Sequence, residues 1–232
     1  MRPVSQAEVA RMAGFSDRWY WQMENGRHAN YSTESLDGLA HALRLTPAER
    51  LTLYLLAIGR PPDPHEEPES DAESAAAPAF QSMLDAQLPH PAYLADRAWN
   101  ILRCNQPMGE WFPWIADQPN IMRWGFLNPE ARRQLVNWQE DWARSFLARM
   151  RIAAARYPTY EPLQHLLDDV LAVNEEAREM WEQGEAVEHP DGSIRRLCLP
   201  FHGHQEVAVR ILGLVPMRNP RLHLIVLMRE GE

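Results

Sequence analysis

The sequence contains no lysine. All 23 residues in the combined count of lysine and arginine are arginine. This absence excludes catalysis through a lysine Schiff base, and it excludes the lysine-containing phosphate loop of Walker type. Cysteine is scarce too, since Cys104 and Cys198 are the only two and lie far apart. Because they form no CxxC pattern, we predict two reduced thiols and neither a metal framework nor a disulfide scaffold.

Long apolar runs are also missing. Those present are short and interrupted, as between Leu53 and Ile58, whereas a membrane span needs about 20 apolar residues. The first six residues, MRPVSQ, lack the apolar core of a secretory signal. These two absences predict a cytoplasmic protein that has no membrane partner.

Catalytic motifs are absent as well, since the sequence has no GxSxG, no HExxH, no paired catalytic carboxylates and no phosphate-binding loop. His202 and His204 flank a glycine and could bind a metal, but they lack nearby partner ligands, which favours a solvated turn. We therefore predict no enzyme activity, no metal site and no cofactor.

A change in composition divides the chain. The stretch from Arg60 to Pro78 is rich in proline, acidic residues, alanine and serine, and it contains almost no large apolar residue. Such a segment buries too little surface to fold by itself. The sequence therefore predicts a domain over residues 1–60, an acidic linker over 61–78 and a second domain over 79–232.

Residues 1–60 carry the signals of four helices. Ser5 with Glu8 and Thr46 with Glu49 form capping boxes, and Ser16 and Ser32 are further N-cap candidates. Glycine and asparagine mark the helix ends, at Gly14 and at Asn25-Gly26. The pattern predicts an all-α domain.

Residues 79–232 mix strands and helices. Short β-like runs lie on both sides of Asp96-Arg97, and three further strands are predicted over 193–200, 206–214 and 222–229. Between them we predict one helix from Glu161 to Gln183 and one that begins at Asn128-Pro129. The second helix carries one apolar stripe: Leu135, Trp138, Trp142, Phe146 and Met150. This order predicts an α+β domain whose antiparallel sheet is covered on one face.

The stretch QAEVARMAGFSDRWYWQMENGR, from Gln6 to Arg27, resembles the helix-turn-helix of the Xre/Cro repressors. Ala10 is small where the two helices cross, Gly14 provides the positive φ of the turn, and Phe15 and Tyr20 point into the core. The resemblance implies binding of double-stranded DNA by seven residues: Gln6, Ser16, Asp17, Arg18, Trp21, Gln22 and Arg27.

Their roles follow from side-chain chemistry once the resemblance is accepted. Gln22 suits adenine, and Arg18 suits guanine or a phosphate. Gln6 would contact a phosphate or brace Gln22, and Arg27 would lie beside the backbone. Asp17 would accept from a cytosine amino group, or it would support Arg18 or the helix N-terminus. Trp19 and Trp21 replace the small polar residues expected there, which suggests that one of them is structural.

Xre-type domains have a helix before the one that begins at Ser5, and only four residues precede Ser5 here. Two explanations stay open: the start of the protein lies upstream of Met1, or the module is natively trimmed and weakened. The charge also predicts modest attraction to DNA. Residues 1–60 carry a net charge of only +1, in a chain whose net charge is −9.

The whole chain resembles the MmyB-like regulators, in which an Xre-type helix-turn-helix precedes a PAS-like ligand-binding domain. The residues that carry this resemblance are His90-Pro91-Ala92-Tyr93, Trp99-Asn100, Asn105, Met122-Arg123-Trp124, Phe126-Leu127-Asn128-Pro129, Trp138, Arg151, Trp181, His189-Pro190 and Gly192. It implies a bacterial transcription regulator whose PAS-like domain binds an apolar, fatty-acid-like ligand. A homodimer is expected, because one short recognition helix reads few bases.

For any one aromatic residue of this domain, a place in the core is the better interpretation, but the excess of tryptophan and methionine favours an adaptable apolar pocket. The predicted ligand-binding residues are Trp111, Met122, Arg123, Trp124, Trp138, Trp142, Phe146, Met150 and Arg151. Arg123 and Arg151 are the candidates to bind a carboxylate head. The alternative interpretation of the chain is a protein–protein interaction or dimerisation module that has lost DNA binding through N-terminal truncation.

Overall fold

The computed structural model describes residues 4–27, 30–62, 71–184, 192–200, 203–217 and 219–231. The chain divides into two compact units, Met1–Pro68 and Glu69–Glu232. The first unit contains α1 (Gln6–Met12), α2 (Asp17–Glu24), α3 (Thr33–Ala42) and α4 (Pro47–Ile58). The predicted fold class, a helix-turn-helix domain followed by an α+β domain with an antiparallel sheet, is confirmed.

The four helices of the first unit begin where the capping residues predict. The hydroxyls of Ser5, Ser16, Ser32 and Thr46 each accept a bond from a backbone N–H in the first turn. Gly14 has a φ of +78°, as the turn between α1 and α2 requires. A small core of Val9, Ala10, Tyr20 and Leu39 holds α1, α2 and α3 together.

A polar clamp joins α3 to α4. The Arg50 guanidinium lies 2.7 Å from the Asp37 carboxylate. The hydroxyl of Tyr54, a fully buried residue, donates to the same carboxylate at 2.6 Å and also to the carbonyl of Thr33 at 3.1 Å. This phenol therefore enters the interior with its hydrogen bond satisfied.

The second unit begins with α5 (Asp71–Asp85), which starts inside the segment predicted to be a linker. Alanine explains the difference, because it has the highest helix propensity and is frequent from Ala72 to Ala79. Apolar packing then holds the end of α5, where Leu84 is buried against the sheet. Residues 63–70 of the predicted linker lie outside the described residues.

The rest of the unit alternates strands and helices. The strands are β1 (Ala92–Ala95), β2 (Ile101–Cys104), β3 (Ile194–Leu199), β4 (Gln205–Leu214) and β5 (His223–Arg229). The helices are α6 (Gln106–Trp111), α7 (Ile121–Leu127), α8 (Ala131–Gln134), α9 (Arg144–Arg156), α10 (Glu161–Val173) and α11 (Glu175–Gln183). A 3-10 helix covers Pro113–Ala116, and a π-helix covers Trp138–Ala143.

The five strands form one antiparallel sheet in the order β2-β1-β5-β4-β3. Tyr93 on β1 lies opposite Ile225 on β5, and both belong to the large core shared with the helices. Leu94 and Leu224 belong to the other face, which α5 partly covers through Leu84. The sheet is therefore covered on one face and partly covered on the other, because α5 packs Leu84 on the face that was expected to be open.

Two predicted helices are interrupted. The helix expected from residue 128 onwards ends at Gln134, where Leu135 forms a β-bridge with Leu197. The N–H of Val136 donates to the carbonyl of Arg196, and Asn137 takes a φ of +53° before the π-helix begins. The chain thus leaves the helix to hydrogen-bond with β3.

The helix expected over 161–183 is divided at Asn174. This residue ends α10, and its side chain accepts from the N–H of Ala177 at the start of α11. Its side-chain amide also donates a hydrogen bond to the carbonyl of Phe126, and the two atoms are 2.7 Å apart. Within the described ranges, no helix combines the length and apolar character that crossing a bilayer would require.

Candidate DNA-binding helix and ligand cavity

Helix α2 is held by one face and exposed on the other. Ser16 caps it by accepting from the N–H of Trp19 at 3.2 Å, and Tyr20 anchors it in the core. Burial and a hydrogen bond to Glu24 raise the pKa of Tyr20 to about 12, so the phenol is neutral at physiological pH. The opposite face exposes Asp17, Arg18 and Trp21.

The two tryptophans of α2 have different surroundings. Trp19 is half-buried. Its ring centroid lies 4.1 Å from that of Phe15 and 6.4 Å from that of Tyr31. Trp21 is 40% exposed, and the guanidinium of Arg27 lies 5.0 Å from its ring centroid. Trp19 is therefore the structural one of the pair.

The second unit contains a largely enclosed cavity of about 40 Å³ between the sheet and the helices. The sheet contributes Tyr93, Arg195, Leu197, Ile211, Ile225 and Leu227 to its wall, and the helical side contributes Met108, Phe112, Ile121, Trp124, Leu135, Trp142, Phe146 and Arg149. The wall is apolar except for the two arginines, the phenol of Tyr93 and the indole N–H groups of Trp124 and Trp142.

Strand alternation places the sheet residues of this wall. Successive side chains of a strand point to opposite faces, so Ile225 and Leu227 face the helices while Val226 faces away. The same rule holds on β3, where Arg195 shares the inner face with Leu197. An arginine in this register must point into the core.

Comparison with known families agrees with both units. Residues 76–230 match the MmyB-like transcription regulator ligand binding domain. The chain belongs to this family. Residues 2–53 match a helix-turn-helix domain. Both matches describe DNA-binding or ligand-binding domains rather than enzymes, and no curated protein matches closely enough to be named as a relative.

The seven residues predicted to bind DNA lie on or beside α1 and α2. Ser16, Asp17, Arg18, Trp21 and Arg27 are exposed, and Gln22 is half-buried. Gln6 is also exposed, but its amide donates to the carboxylate of Glu24 and not to Gln22. Of the two roles expected for Gln6, the brace to Gln22 is replaced by a link between the start of α1 and the end of α2, and the phosphate contact stays a prediction.

The predicted ligand residues of the MmyB-like domain separate into two groups. Trp124, Trp142 and Phe146 line the cavity. Trp111, Met122, Trp138 and Met150 are buried in the surrounding core without lining it. The reason is clear for Trp138, whose indole N–H donates to the carbonyl of Gly125 at 2.8 Å.

The two arginines predicted to bind a carboxylate head lie elsewhere. Arg123 forms an ion pair with Asp169 at 2.6 Å. Arg151 donates to the carbonyl of Trp181, and its guanidinium lies 4.2 Å from that indole ring. Neither arginine belongs to the cavity wall.

The cavity instead contains Arg149 and Arg195, which the motif analysis missed. The sequence does contain a signal for Arg195: alternation anchored on Leu197 and Leu199 gives it an inward position on β3. Nothing in the local pattern separates Arg149 from the other arginines of α9, because its place depends on how that helix packs on the sheet.

The described residues contain no group of histidine, cysteine and acidic side chains that could hold a metal. His202, one of the two candidate ligands, lies outside the described residues. So do His189 and Pro190, which carry part of the family resemblance.

Proposed function

We propose that the chain regulates transcription by reading double-stranded DNA with α2, and that an apolar, chain-like ligand in the MmyB-like domain controls this binding. The observation that carries the proposal is the largely enclosed, mainly apolar cavity in a chain that also contains a helix-turn-helix domain. Ligand sites are concave and mostly apolar, with few polar groups, as this wall is.

The size of the cavity implies that the ligand enters by displacing side chains. A water molecule needs about 10–15 Å³ of such volume, so about 40 Å³ holds only a few atoms. Trp142 lies on the π-helix, and Phe146 follows on α9. Since π-helical turns occur frequently at functional sites, this segment is the part of the wall that we expect to move. A fatty-acid-like ligand would then favour one packing of the helices over another.

The predicted DNA-binding residues differ in side-chain chemistry, so we propose different roles in DNA binding for them. Gln22 suits the edge of adenine, and Arg18 suits guanine or a phosphate. Arg27, stacked on Trp21, is suited to a backbone phosphate. Because α2 spans only two turns, we propose that a homodimer reads two half-sites about one DNA turn apart.

The DNA proposal is tested by selecting binding sites from a randomised duplex pool with the full chain. Gln22→Ala should relax the preference at one base pair, with a loss of about 1–3 kcal/mol of discrimination. Arg27→Ala should weaken binding to all sequences alike and lower the salt slope by about one. The opposite pattern would contradict the assignment, and recovery of no sequence would contradict DNA reading itself.

The ligand proposal is tested by native mass spectrometry and lipid extraction of the purified protein, followed by thermal unfolding with added fatty acids. We expect either a co-purified apolar ligand or a rise in melting temperature with an added one. A protein with neither would mean that the aromatic residues are ordinary core.

A second candidate function, an interaction module, is favoured by the surface of α4. Leu51 and Leu55 are 41% and 47% exposed one turn apart, and Leu56 is 83% exposed. Exposed apolar residues grouped on one helix mark contact surfaces. If this is the main role, replacing Leu51 and Leu55 with glutamine will abolish self-association in sedimentation velocity, and the site selection will recover no DNA sequence.

A further inference from the structure

Trp21 places a large apolar ring near the middle of α2, on the side that faces away from the core. Residues three and four apart share a helix face, so Trp21 lies with Asp17 and Arg18, whereas Tyr20 is buried in the small core. Trp21 is 40% exposed. Because it lies between Arg18 and Gln22, which are proposed to contact DNA, its ring faces the surface that α2 would present to the groove.

The position of this ring is restrained by its neighbours. The carbonyl of Trp21 accepts from the backbone N–H of Asn25 at 3.2 Å and from its side-chain amide at 2.7 Å. The N–H of Arg27 donates to the carbonyl of Gln22 at 2.8 Å, and the Arg27 guanidinium lies over the Trp21 ring, 5.0 Å from its centroid. A cation over an aromatic face is attracted to it. The indole is therefore held in place before DNA arrives.

The chemistry of the indole limits what it can recognise. Its single polar group is the ring N–H, which donates and cannot accept, so tryptophan cannot form the paired hydrogen bonds by which glutamine or arginine reads a base. The rest of the side chain is apolar. In the major groove, the apolar group that distinguishes one base from the others is the 5-methyl group of thymine. An indole at this position is therefore suited to thymine.

We infer that Trp21 is a specificity-determining residue that reads thymine by packing its ring against the 5-methyl group in the major groove. The inference rests on the proposed function, because it adds a base contact to a helix that is proposed to read DNA. Together with Gln22, which suits adenine, this contact predicts a half-site rich in A·T pairs.

A hydrogen bond from the indole N–H to a phosphate is the competing role for Trp21. Such a contact would position the protein on the duplex without carrying sequence information. The two roles differ in one measurable respect. Removal of a methyl group from a base weakens the contact with thymine and leaves a phosphate contact unchanged.

The test uses the full chain and a duplex that contains the site recovered by selection from the randomised pool. Each thymine is replaced in turn by deoxyuridine, which keeps the base pair and removes only the 5-methyl group. Binding is measured by fluorescence anisotropy at one fixed salt concentration. We expect one thymine in each half-site at which uracil weakens binding about threefold to tenfold, as the loss of one buried methyl group implies.

A reciprocal substitution restores the methyl group on a different base. Replacing the sensitive T·A pair with C·G should weaken binding as well. Placing 5-methylcytosine at the same position should then recover part of the loss, because it carries a methyl group at the same place in the groove.

Variants of Trp21 assign the effect to this side chain. Trp21→Ala should bind more weakly and no longer distinguish thymine from uracil, and Trp21→Phe, with a smaller ring, should keep part of the difference. Leu43→Ala is the matched control, because Leu43 is an apolar residue of similar exposure, 42%, at the end of α3. This variant should keep the whole difference. Thermal unfolding verifies that the variants are folded, as expected for substitutions at exposed positions.

The outcomes separate this inference from the proposed function. If a site is selected but uracil is tolerated at every thymine, or if the uracil penalty persists in Trp21→Ala, the thymine contact is overturned and DNA reading by α2 stands. An equal loss of affinity in Trp21→Ala for all duplexes, with no uracil penalty in the wild type, assigns Trp21 to a phosphate and also overturns the inference. If no sequence is selected, both proposals fail.

Discussion

Each of the four helices in the described part of Met1–Pro68 begins at a serine or threonine whose hydroxyl caps the first turn, whereas α8, α9 and α10 of the second unit begin with no side-chain cap. Three other helices of that unit, α6, α7 and α11, are capped by asparagines that are largely buried: Asn105, Asn120 and Asn174. The chemistry of the helix ends therefore differs between the two units.

The buried asparagines have a second task that the exposed caps lack. Asn105 caps α6 and also donates to the carbonyls of Leu84 and His90. Asn120 caps α7 and donates to the carbonyl of Ala98 at 2.8 Å. Caps in the first unit satisfy only their own helix, whereas those of the second also join elements that are distant in sequence. We conclude that local signals define the first unit and long-range packing defines the second.

The largest expected effect is on the aromatic core of the second unit. Trp124 is fully buried and stacks on Trp114 with ring centroids 4.4 Å apart. Trp124→Ala should lower the free energy of unfolding by about 3–5 kcal/mol, because it leaves a cavity. Hydrogen exchange should locate the lost protection in the second unit. Trp21→Ala, at an exposed site, should change stability by about 0.5 kcal/mol or less, and comparable effects of the two changes would contradict the comparison.

The two kinds of cap are compared directly by removing one of each. Asn105→Ala should cost about 2–4 kcal/mol of unfolding free energy, because it leaves several buried backbone groups without partners. Ser16→Ala should cost about 1 kcal/mol, since the freed N–H is near solvent. Both are measured by urea denaturation. A cost at Asn105 no larger than that at Ser16 would mean that its long-range bonds contribute nothing.

Arginines in the two units should respond in opposite directions when their charge is removed. Arg50→Met should lower the free energy of unfolding by about 1–2 kcal/mol, because it breaks the partly buried pair with Asp37. Arg195→Met should leave it unchanged or raise it by about 1 kcal/mol, since a buried charge without an ion pair is removed. Urea titration without ligand tests both, and a marked loss in Arg195→Met would assign this residue a structural role.

The smallest expected effect is on the dependence of thermal stability on pH in the acidic range. Hydrogen bonds to the backbone and hydroxyl of Thr46 lower the pKa of Glu49 from its ordinary value of 4.5. A lowered pKa contributes stability that is present above the unfolded value and is lost as the pH falls through the folded value. Glu49→Gln keeps the capping bond without the charge, so its thermal stability should depend less on pH below about 4.5 than that of the wild type. An identical acid dependence would exclude Glu49 as a contributor.

Much of the fold could be predicted because its signals lie within a few residues of one another. Ser16 to Gly26 predicts a short helix with a start and an end, and it forms one. The strands over 193–200, 206–214 and 222–229 follow from alternation and are confirmed to within one or two residues. The cavity wall was harder to predict: of the nine predicted ligand residues, only Trp124, Trp142 and Phe146 line it, and their role in binding stays a prediction.

The sequence alone determined the helix starts of the first unit and the strands of the second, because caps, glycines and alternation act over a few residues. It also determined the family of the chain, through the residues that carry the resemblance. Only the tertiary structure decided that the helix after Gln134 stops, because Leu135 pairs with Leu197, a residue far along the chain. It also decided which arginines face the cavity. Arg123 finds Asp169 whereas Arg195 finds no carboxylate among the described residues, and such partners are brought together only when the sheet and helices pack.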